Sequence, residues 1–186
     1  LAAQAVGAAS IGIYQDSTAT EVGYVIDHAD AVVIVAEDQE QVDKILELRE
    51  KIPKVRHVIY TDPKGMRAYD DPMLLAFTEV ERRGRELDAQ RPELFEESVA
   101  RGTGADTALI AYTSGTTGFP KGSLLTHTNM LSMAANLMAV DPKRPGDEFL
   151  SFLPLPWIGE QMMGVASALL VDYVLTVAVS ISAGAH

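Results

Sequence analysis

The sequence contains no cysteine, which excludes disulfide bonds, thiolate metal ligands and a cysteine nucleophile within these 186 residues. Basic residues are a minority: 15 Lys and Arg stand against 26 Asp and Glu, giving a net charge of -11. A chain this acidic repels nucleic-acid backbones, so we expect no DNA- or RNA-binding role. Small polyanions stay open as ligands, because a local nest of donors can bind phosphate on an acidic protein.

Long uninterrupted apolar runs are also missing. The nearest approach is the segment from Met162 to Ala183, but Asp172 lies near its middle. An aspartate at the centre of a membrane helix costs about 2.5–3.5 kcal/mol, so we expect no transmembrane span. The apolar start has no basic leader and does not resemble a signal peptide. These features favour a cytoplasmic location and leave room for peripheral contact with a membrane.

The composition is that of a globular protein, with 47% hydrophobic and 22% charged residues. The first sixty residues alternate between helix and strand patterns. Residues 31–36, AVVIVA, predict a strand covered on both faces. Residues 39–52 predict a helix that ends before Pro53, and residues 57–60 predict another strand. This alternation predicts an α/β fold with a mostly parallel sheet flanked by helices.

Local signals place the remaining elements. Thr20 is a candidate N-cap for an early helix, and either Thr126 or Thr128 is a candidate for a later one. Residues 61–104 are rich in charge and proline, and predict an irregular surface connection with one helix near residues 77–88. Three further elements are predicted: a strand at 109–113, a strand at 149–153 and a helix at 158–170.

The most informative segment is YTSGTTGFPKG, from Tyr112 to Gly122. Three glycines allow the backbone to approach a ligand closely: Gly115, Gly118 and Gly122. Four hydroxyl groups can donate to phosphate oxygens or reach a bound Mg²⁺: Thr113, Ser114, Thr116 and Thr117. Lys121 adds a mobile positive charge. On a strand–loop–helix frame this segment is interpreted as an anion cradle, with an ordinary polar connector as the alternative.

Two familiar nucleotide motifs do not fit this loop. A Walker A loop has glycine immediately before its lysine, where this chain has Pro120. The dinucleotide pattern G-x-G-x-x-G is also absent around the segment. The four histidines show no metal-ligand spacing, although His127 lies soon after the loop and is a candidate functional residue.

The eleven-residue string resembles the signature loop of the adenylate-forming superfamily, which includes acyl-CoA synthetases, luciferases and peptide-synthetase adenylation domains. Flanking segments are also similar to that superfamily: Asp106-Thr107-Ala108 before the loop, and Leu125-Thr126-His127 with Asn129 after it. The later block Phe152-Leu153-Pro154-Leu155-Pro156 resembles the next characteristic segment. The early segments 12–14 and 21–35 resemble the bacterial long-chain acyl-CoA synthetase branch.

The resemblance implies roles for particular residues. Residues Thr113 to Gly118 would surround the β- and γ-phosphates of ATP, with Lys121 nearby. The hydroxyl of Thr116 or Thr117 would assist Mg²⁺, and no catalytic residue is assigned. The implied enzyme is an ATP-dependent fatty-acid CoA ligase with fatty acid, ATP and CoA as substrates. The alternatives are an enzyme that adenylates aryl or amino acids, and a non-catalytic, truncated nucleotide-binding chain.

The resemblance extends from about Ala2 to Leu170. It therefore implies a partial N-terminal AMP-binding domain at residues 1–170 and a divergent or truncated tail at residues 171–186. Trp157 stands where many members carry a histidine or aromatic residue near the acyl pocket. We interpret it as a residue that lines a pocket or caps the cofactor site, or as part of the core. We expect the chain to lack complete ligase activity by itself.

Overall fold

The computed structural model describes residues 1–113, 118–144, 147–148 and 150–167. The α-helices in these ranges are α1 (Ala2–Ala5), α2 (Ala19–His28), α3 (Gln39–Glu47), α4 (Phe77–Gln90), α5 (Leu94–Arg101), α6 (His127–Val140) and α7 (Ile158–Glu160). The strands are β1 (Ser10–Ile11), β2 (Val33–Ala36), β3 (His57–Tyr60), β4 (Leu74–Ala76), β5 (Thr107–Thr113) and β6 (Lys121–Thr126). A π-helical segment, Gln161–Ala166, continues directly from α7.

The chain forms two compact units, one made of Leu1–Tyr14 with Arg101–His186, the other of Gln15–Ala100. The first contains a sheet with strand order β1-β5-β6, and the second a sheet with order β2-β3-β4. Pairing is parallel between β1 and β5, β2 and β3, and β3 and β4, whereas β5 and β6 are antiparallel. The predicted α/β fold with mostly parallel strands is confirmed.

In the unit Gln15–Ala100, α2 begins two residues earlier than predicted. Thr18, and not Thr20, is its N-cap. The backbone N–H of Thr18 donates to Glu21 Oε2 at 2.8 Å, and the N–H of Glu21 donates to Thr18 Oγ1 at 3.3 Å. This reciprocal capping box satisfies two amides that the first helical turn leaves unpaired. Hydrogen bonds from Thr18 also lower the pKa of Glu21.

The prediction that β2 is covered on both faces is wrong. Val33 and Val35 are 48% and 63% exposed, whereas Ala36 is buried, so the described residues pack against only one side of the strand. The buried side belongs to a core made by the strands and the helices beside them: Val22, Val25, Ile26, Ala36, Val42, Ile45, Leu48, Ile52, Val55, Val58 and Met66. An apolar run does not by itself reveal which of its faces is covered.

Residues 61–104 are more regular than predicted. The three-residue strand β4 pairs in parallel with β3, and two helices, α4 and α5, follow it. Such a strand is too short to produce a readable periodicity. The surface of α4 carries ion pairs from Glu79 to Arg82 and to Arg83, both at 2.7 Å. Hydrogen bonds from these two arginines lower the pKa of Glu79 to about 2.

In the other unit, a small apolar cluster joins β5 to α6 and the π segment; its members are Ala108, Leu109, Met130, Ala134, Met162 and Ala166. The helix α6 begins at Thr126, which forms a capping box with Asn129 and excludes Thr128 as the cap. The strand predicted at 149–153 is wrong for residues 150–153, which form no strand. Within the described ranges, no helix is both long enough and apolar enough to cross a bilayer.

Candidate functional site

The loop of interest connects two neighbouring antiparallel strands. Thr113, the last residue of β5, lies opposite Lys121, the first residue of β6, and Tyr112 lies opposite Gly122. The strand–loop–helix frame predicted from the sequence is therefore wrong, because β6 intervenes before α6 begins. Residues 121–126 alternate too weakly between polar and apolar to indicate a strand, and their pairing with β5 decides the conformation.

The described part of the loop is largely open to solvent. Thr113, Gly118, Phe119 and Lys121 are exposed, and Pro120 is half-buried. The remaining residues of the predicted cradle, Ser114, Gly115, Thr116 and Thr117, lie outside the described residues. The predicted Mg²⁺ ligands Thr116 and Thr117 are among them, so their role stays a prediction.

Two glycines at the loop serve different purposes. Gly118 has a φ of +129°, a conformation that side-chain-bearing residues rarely adopt. No described atom lies within 4 Å of the position that a Cβ would take there, so the backbone is accessible to a ligand. Gly122 instead gives room to its neighbours, because a Cβ there would lie 3.0 Å from Ile110 Cγ2 and 3.2 Å from Tyr112 Cζ.

The electrostatics of the loop differ from those of the whole chain. Residues 113–122 contain one lysine and no acidic residue, although the net charge of the chain is -11. Among the described residues, Lys121 takes part in no ion pair, so its ammonium group is available to a ligand. An exposed lysine without an ion pair among the described residues, the exposed backbone at Gly118 and the hydroxyl of Thr113 suit a bound polyanion.

His127 does not belong to this site. It follows Thr126, which pairs with Thr107 at the opposite end of the hairpin. Six steps along β5 place that end about 20 Å from Thr113. There His127 lines a small cavity of about 90 Å³ with Gln4, Gln161 and apolar side chains.

Trp157 is not a core residue, since it is 46% exposed. A Cβ added to Gly159 would lie 3.1 Å from Cε3 and from Cζ3 of the indole ring, so the ring lies over this glycine. A Cβ added to Gly12 would lie 2.5 Å from the Cα of Pro156, so the end of β1 packs closely on the same segment.

The sequence interpretation missed Glu160. Its side chain is 2% exposed, and it accepts a hydrogen bond from Ser151 Oγ through Oε1. The available signal was a single acidic residue within the otherwise uncharged run from Trp157 to Leu170. Within the part of the chain that the structure describes, no three His, Asp or Glu side chains are arranged to hold a metal ion.

With this geometry in view, comparison with known proteins defines the class. The sequence profile of the AMP-binding enzyme family matches residues 1–178, and the chain belongs to that family. A long-chain-fatty-acid–CoA ligase, FadD15 of Mycobacterium bovis, is 33% identical over 165 residues. That alignment covers 88% of this chain and 26% of the relative.

Solved structures confirm the fold. Acetoacetyl-CoA synthetase from Streptomyces lividans superposes with a TM-score of 0.63 at 20% identity, covering 92% of this chain and 26% of that one. ATP-bound MatB from Rhodopseudomonas palustris gives a TM-score of 0.61 at 21% identity, covering 90% and 29%. The chain thus spans about a quarter of the length of these relatives, and it has the fold of the corresponding part of adenylate-forming enzymes.

Proposed function

We propose that this chain is the ATP-binding part of an ATP-dependent ligase that joins a long-chain fatty acid to CoA. The observation that carries the proposal is the hairpin loop between Thr113 and Lys121, with an exposed Gly118 and a lysine that forms no ion pair with any described residue. Family membership over residues 1–178 and 33% identity to a long-chain-fatty-acid–CoA ligase support it.

The proposed reaction has two steps. A carboxylate oxygen of the acid attacks the α-phosphorus of ATP, and the bond from that phosphorus to the pyrophosphate oxygen breaks. The sulfur of CoA then attacks the acyl carbonyl carbon, and AMP leaves as the thioester forms. The protein contributes chiefly by holding the reactants in position and by neutralising charge on the phosphates.

Within this reaction we assign the loop to the β- and γ-phosphates. Thr113 and Gly118 contribute a hydroxyl and a backbone donor, and the ammonium group of Lys121 offsets phosphate charge. Ser114, Gly115, Thr116 and Thr117 would complete the enclosure, and a hydroxyl of Thr116 or Thr117 would assist Mg²⁺. Because Mg²⁺ is commonly held by substrate phosphates with few protein ligands, a site without a carboxylate cluster is compatible with it.

The chain is proposed to need further protein for catalysis. We assign residues 1–170 to a partial AMP-binding domain and residues 171–186 to a divergent tail. A loop that binds phosphates cannot by itself align the acid with the α-phosphorus. Losing that alignment removes a proximity contribution of about 7–11 kcal/mol from the barrier reduction. We also propose a cytoplasmic enzyme that contacts the membrane only peripherally.

The second candidate is an adenylate-forming enzyme for a different acid. The resemblance in fold to acetoacetyl-CoA synthetase supports this second candidate, because an enzyme named for a short acid has the same architecture. The long-chain assignment depends on the sequence relatives, and no acyl channel is visible in the described residues.

The test is pyrophosphate release by the full-length protein with ATP, Mg²⁺ and a panel of acids. Palmitate, acetate, an aryl acid and an amino acid are compared at equal concentrations, with and without CoA. Preference for palmitate, with thioester formed only when CoA is present, supports the proposal. Preference for acetate, for the aryl acid or for the amino acid supports the second candidate instead. Nucleotide binding without release of pyrophosphate from ATP in the presence of any of the acids indicates a non-catalytic protein.

A further inference from the structure

A buried carboxyl group lies where α7 widens into the π segment. Glu160 is 2% exposed, and its Oε2 has no hydrogen-bond partner among the described residues. Burying a polar oxygen without a hydrogen bond is unfavourable for stability, whichever protonation state the carboxyl has. Incompletely satisfied groups of this kind call for another explanation.

A basic partner for Glu160 is not found nearby. All fifteen lysines and arginines of the chain lie within the described ranges, and the ion pairs formed there do not include Glu160. The polar interaction that the structure gives this carboxyl is the hydrogen bond from Ser151 Oγ to Oε1. Its position therefore depends on Ser151 and on the space that surrounds it.

Gly164 provides that space. A Cβ at position 164 would collide with Glu160 Oε1 and would lie 2.9 Å from Glu160 Cδ. Gly164 is buried inside the π segment, and π-helical turns are frequent at functional sites. The glycine, the wide helix and the buried carboxyl form one arrangement, in which any side chain at 164 would displace the carboxyl.

The arrangement fixes the segment that precedes it. Ser151 and Glu160 tie together the two ends of residues 151–160, and Gln161 Nε2 donates to the carbonyl oxygen of Leu155 at 2.8 Å. The backbone N–H of Trp157 closes a turn by donating to the carbonyl oxygen of Pro154 at 2.9 Å. The partly exposed Trp157 therefore lies on a segment that is held at two points: Glu160 contacts its first residue, Ser151, and Gln161 contacts Leu155 near its middle.

We propose that Glu160 is a positioning residue: held by Ser151 and accommodated by Gly164, its carboxyl fixes the Ser151–Trp157 segment and thereby the binding of the acid substrate. The effect on the segment follows from the contacts of this chain alone. The effect on the acid rests on the proposed function. The two parts are tested by separate measurements.

The first measurement is acrylamide quenching of Trp157 fluorescence in the 186-residue chain, which contains a single tryptophan. Ser151→Ala and Gly164→Ala are expected to raise the quenching constant about twofold. Ser151→Ala removes the hydrogen bond to the Glu160 carboxyl, and Gly164→Ala displaces that carboxyl. Glu160→Gln and Ser151→Thr are expected to keep a quenching constant near that of the wild type. Glu160→Gln retains an acceptor oxygen, and Ser151→Thr retains a hydroxyl donor. Gly84→Ala is the matched control, because no described atom lies within 4 Å of its new Cβ.

The quenching results can support or overturn the positioning role of Glu160. Wild-type quenching in both Ser151→Ala and Gly164→Ala would overturn the positioning role. A change in Glu160→Gln as large as that in Ser151→Ala would also overturn it, because the amide oxygen can accept the same hydrogen bond.

The second measurement is steady-state kinetics of the full-length protein carrying the same substitutions. Ser151→Ala and Gly164→Ala are expected to raise KM for the acid about 3- to 10-fold and to leave KM for ATP within twofold, with Ser151→Thr restoring the wild-type value. Equal increases in both KM values would indicate a general structural defect and overturn the link to the acid. Absence of activity with every acid in the wild type would refute the proposed function, and the quenching result would still decide the positioning role.

Discussion

Replacing Lys121 with alanine tests the assignment of the phosphate loop. Lys121 is the first residue of β6, is exposed, and forms no ion pair with a described residue. The substitution removes a charge and leaves the strand hydrogen bonds in place. Surface substitutions away from special features change the free energy of unfolding by no more than about 0.5 kcal/mol, so the fold is expected to survive.

The substitution should therefore lower kcat/KM for ATP. A hydrogen bond to a charged group contributes about 1.5–3 kcal/mol, which corresponds to a loss of about 10- to 150-fold in kcat/KM for ATP. The assay is pyrophosphate release by the full-length protein, with ATP varied at saturating acid and then acid varied at saturating ATP. The parameters for the acid should change much less than those for ATP.

The control is Lys64→Ala, which removes a second exposed lysine that lies outside the hairpin. It should leave both sets of parameters at wild-type values. The assignment is refuted if Lys121→Ala retains the wild-type kcat/KM for ATP at limiting ATP. It is also refuted if Lys64→Ala loses as much, because the loss would then reflect overall charge.

Three further predictions concern stability and use urea unfolding followed by circular dichroism. Thr126→Ala should lower the free energy of unfolding by about 1 kcal/mol, because it removes the capping box with Asn129, and an unchanged midpoint would contradict that role for the cap. Gly84→Ala should raise it by about 0.5–1 kcal/mol, since alanine is preferred inside a helix and space is free there; destabilisation would show an unseen clash. The pKa of Glu79 is lowered to about 2 in the folded chain, from 4.5, so its contribution is present above about pH 4.5 and lost as the pH falls toward 2. Glu79→Gln should therefore reduce the dependence of stability on pH in that window, and an identical pH profile would refute the arginine pairing.

The sequence predicted the elements whose signals are local. Residues 57–60 form a strand as predicted, because their apolar, β-branched run lies between clear breaks. Thr126 caps α6 because its hydroxyl and the Asn129 side chain are three residues apart, a spacing visible in the sequence. The eleven-residue loop string likewise predicted the family, which the match to residues 1–178 confirms.

The features that the sequence did not reveal depend on packing and pairing between elements, which local sequence signals do not specify. The strand β6 exists because it pairs with β5, and residues 121–126 carry little strand signal of their own. The exposure of Val35 depends on which helices cover the sheet, and an apolar run in the sequence does not show which of its faces will be covered. The environment of Glu160 depends on the hydrogen bond from Ser151 and on the space at Gly164, so the acidic residue in an uncharged run marked the position without revealing its burial.

We propose that the protein uses this loop to form an acyl-adenylate from ATP and a fatty acid. The most direct measurement is exchange of labelled pyrophosphate into ATP, because it reports the first step and requires no CoA. We predict that the full-length protein catalyses exchange that depends on palmitate, and that Lys121→Ala reduces it at least tenfold at limiting ATP. Exchange that proceeds equally well without any carboxylic acid, or that is unaffected by Lys121→Ala, would contradict the account.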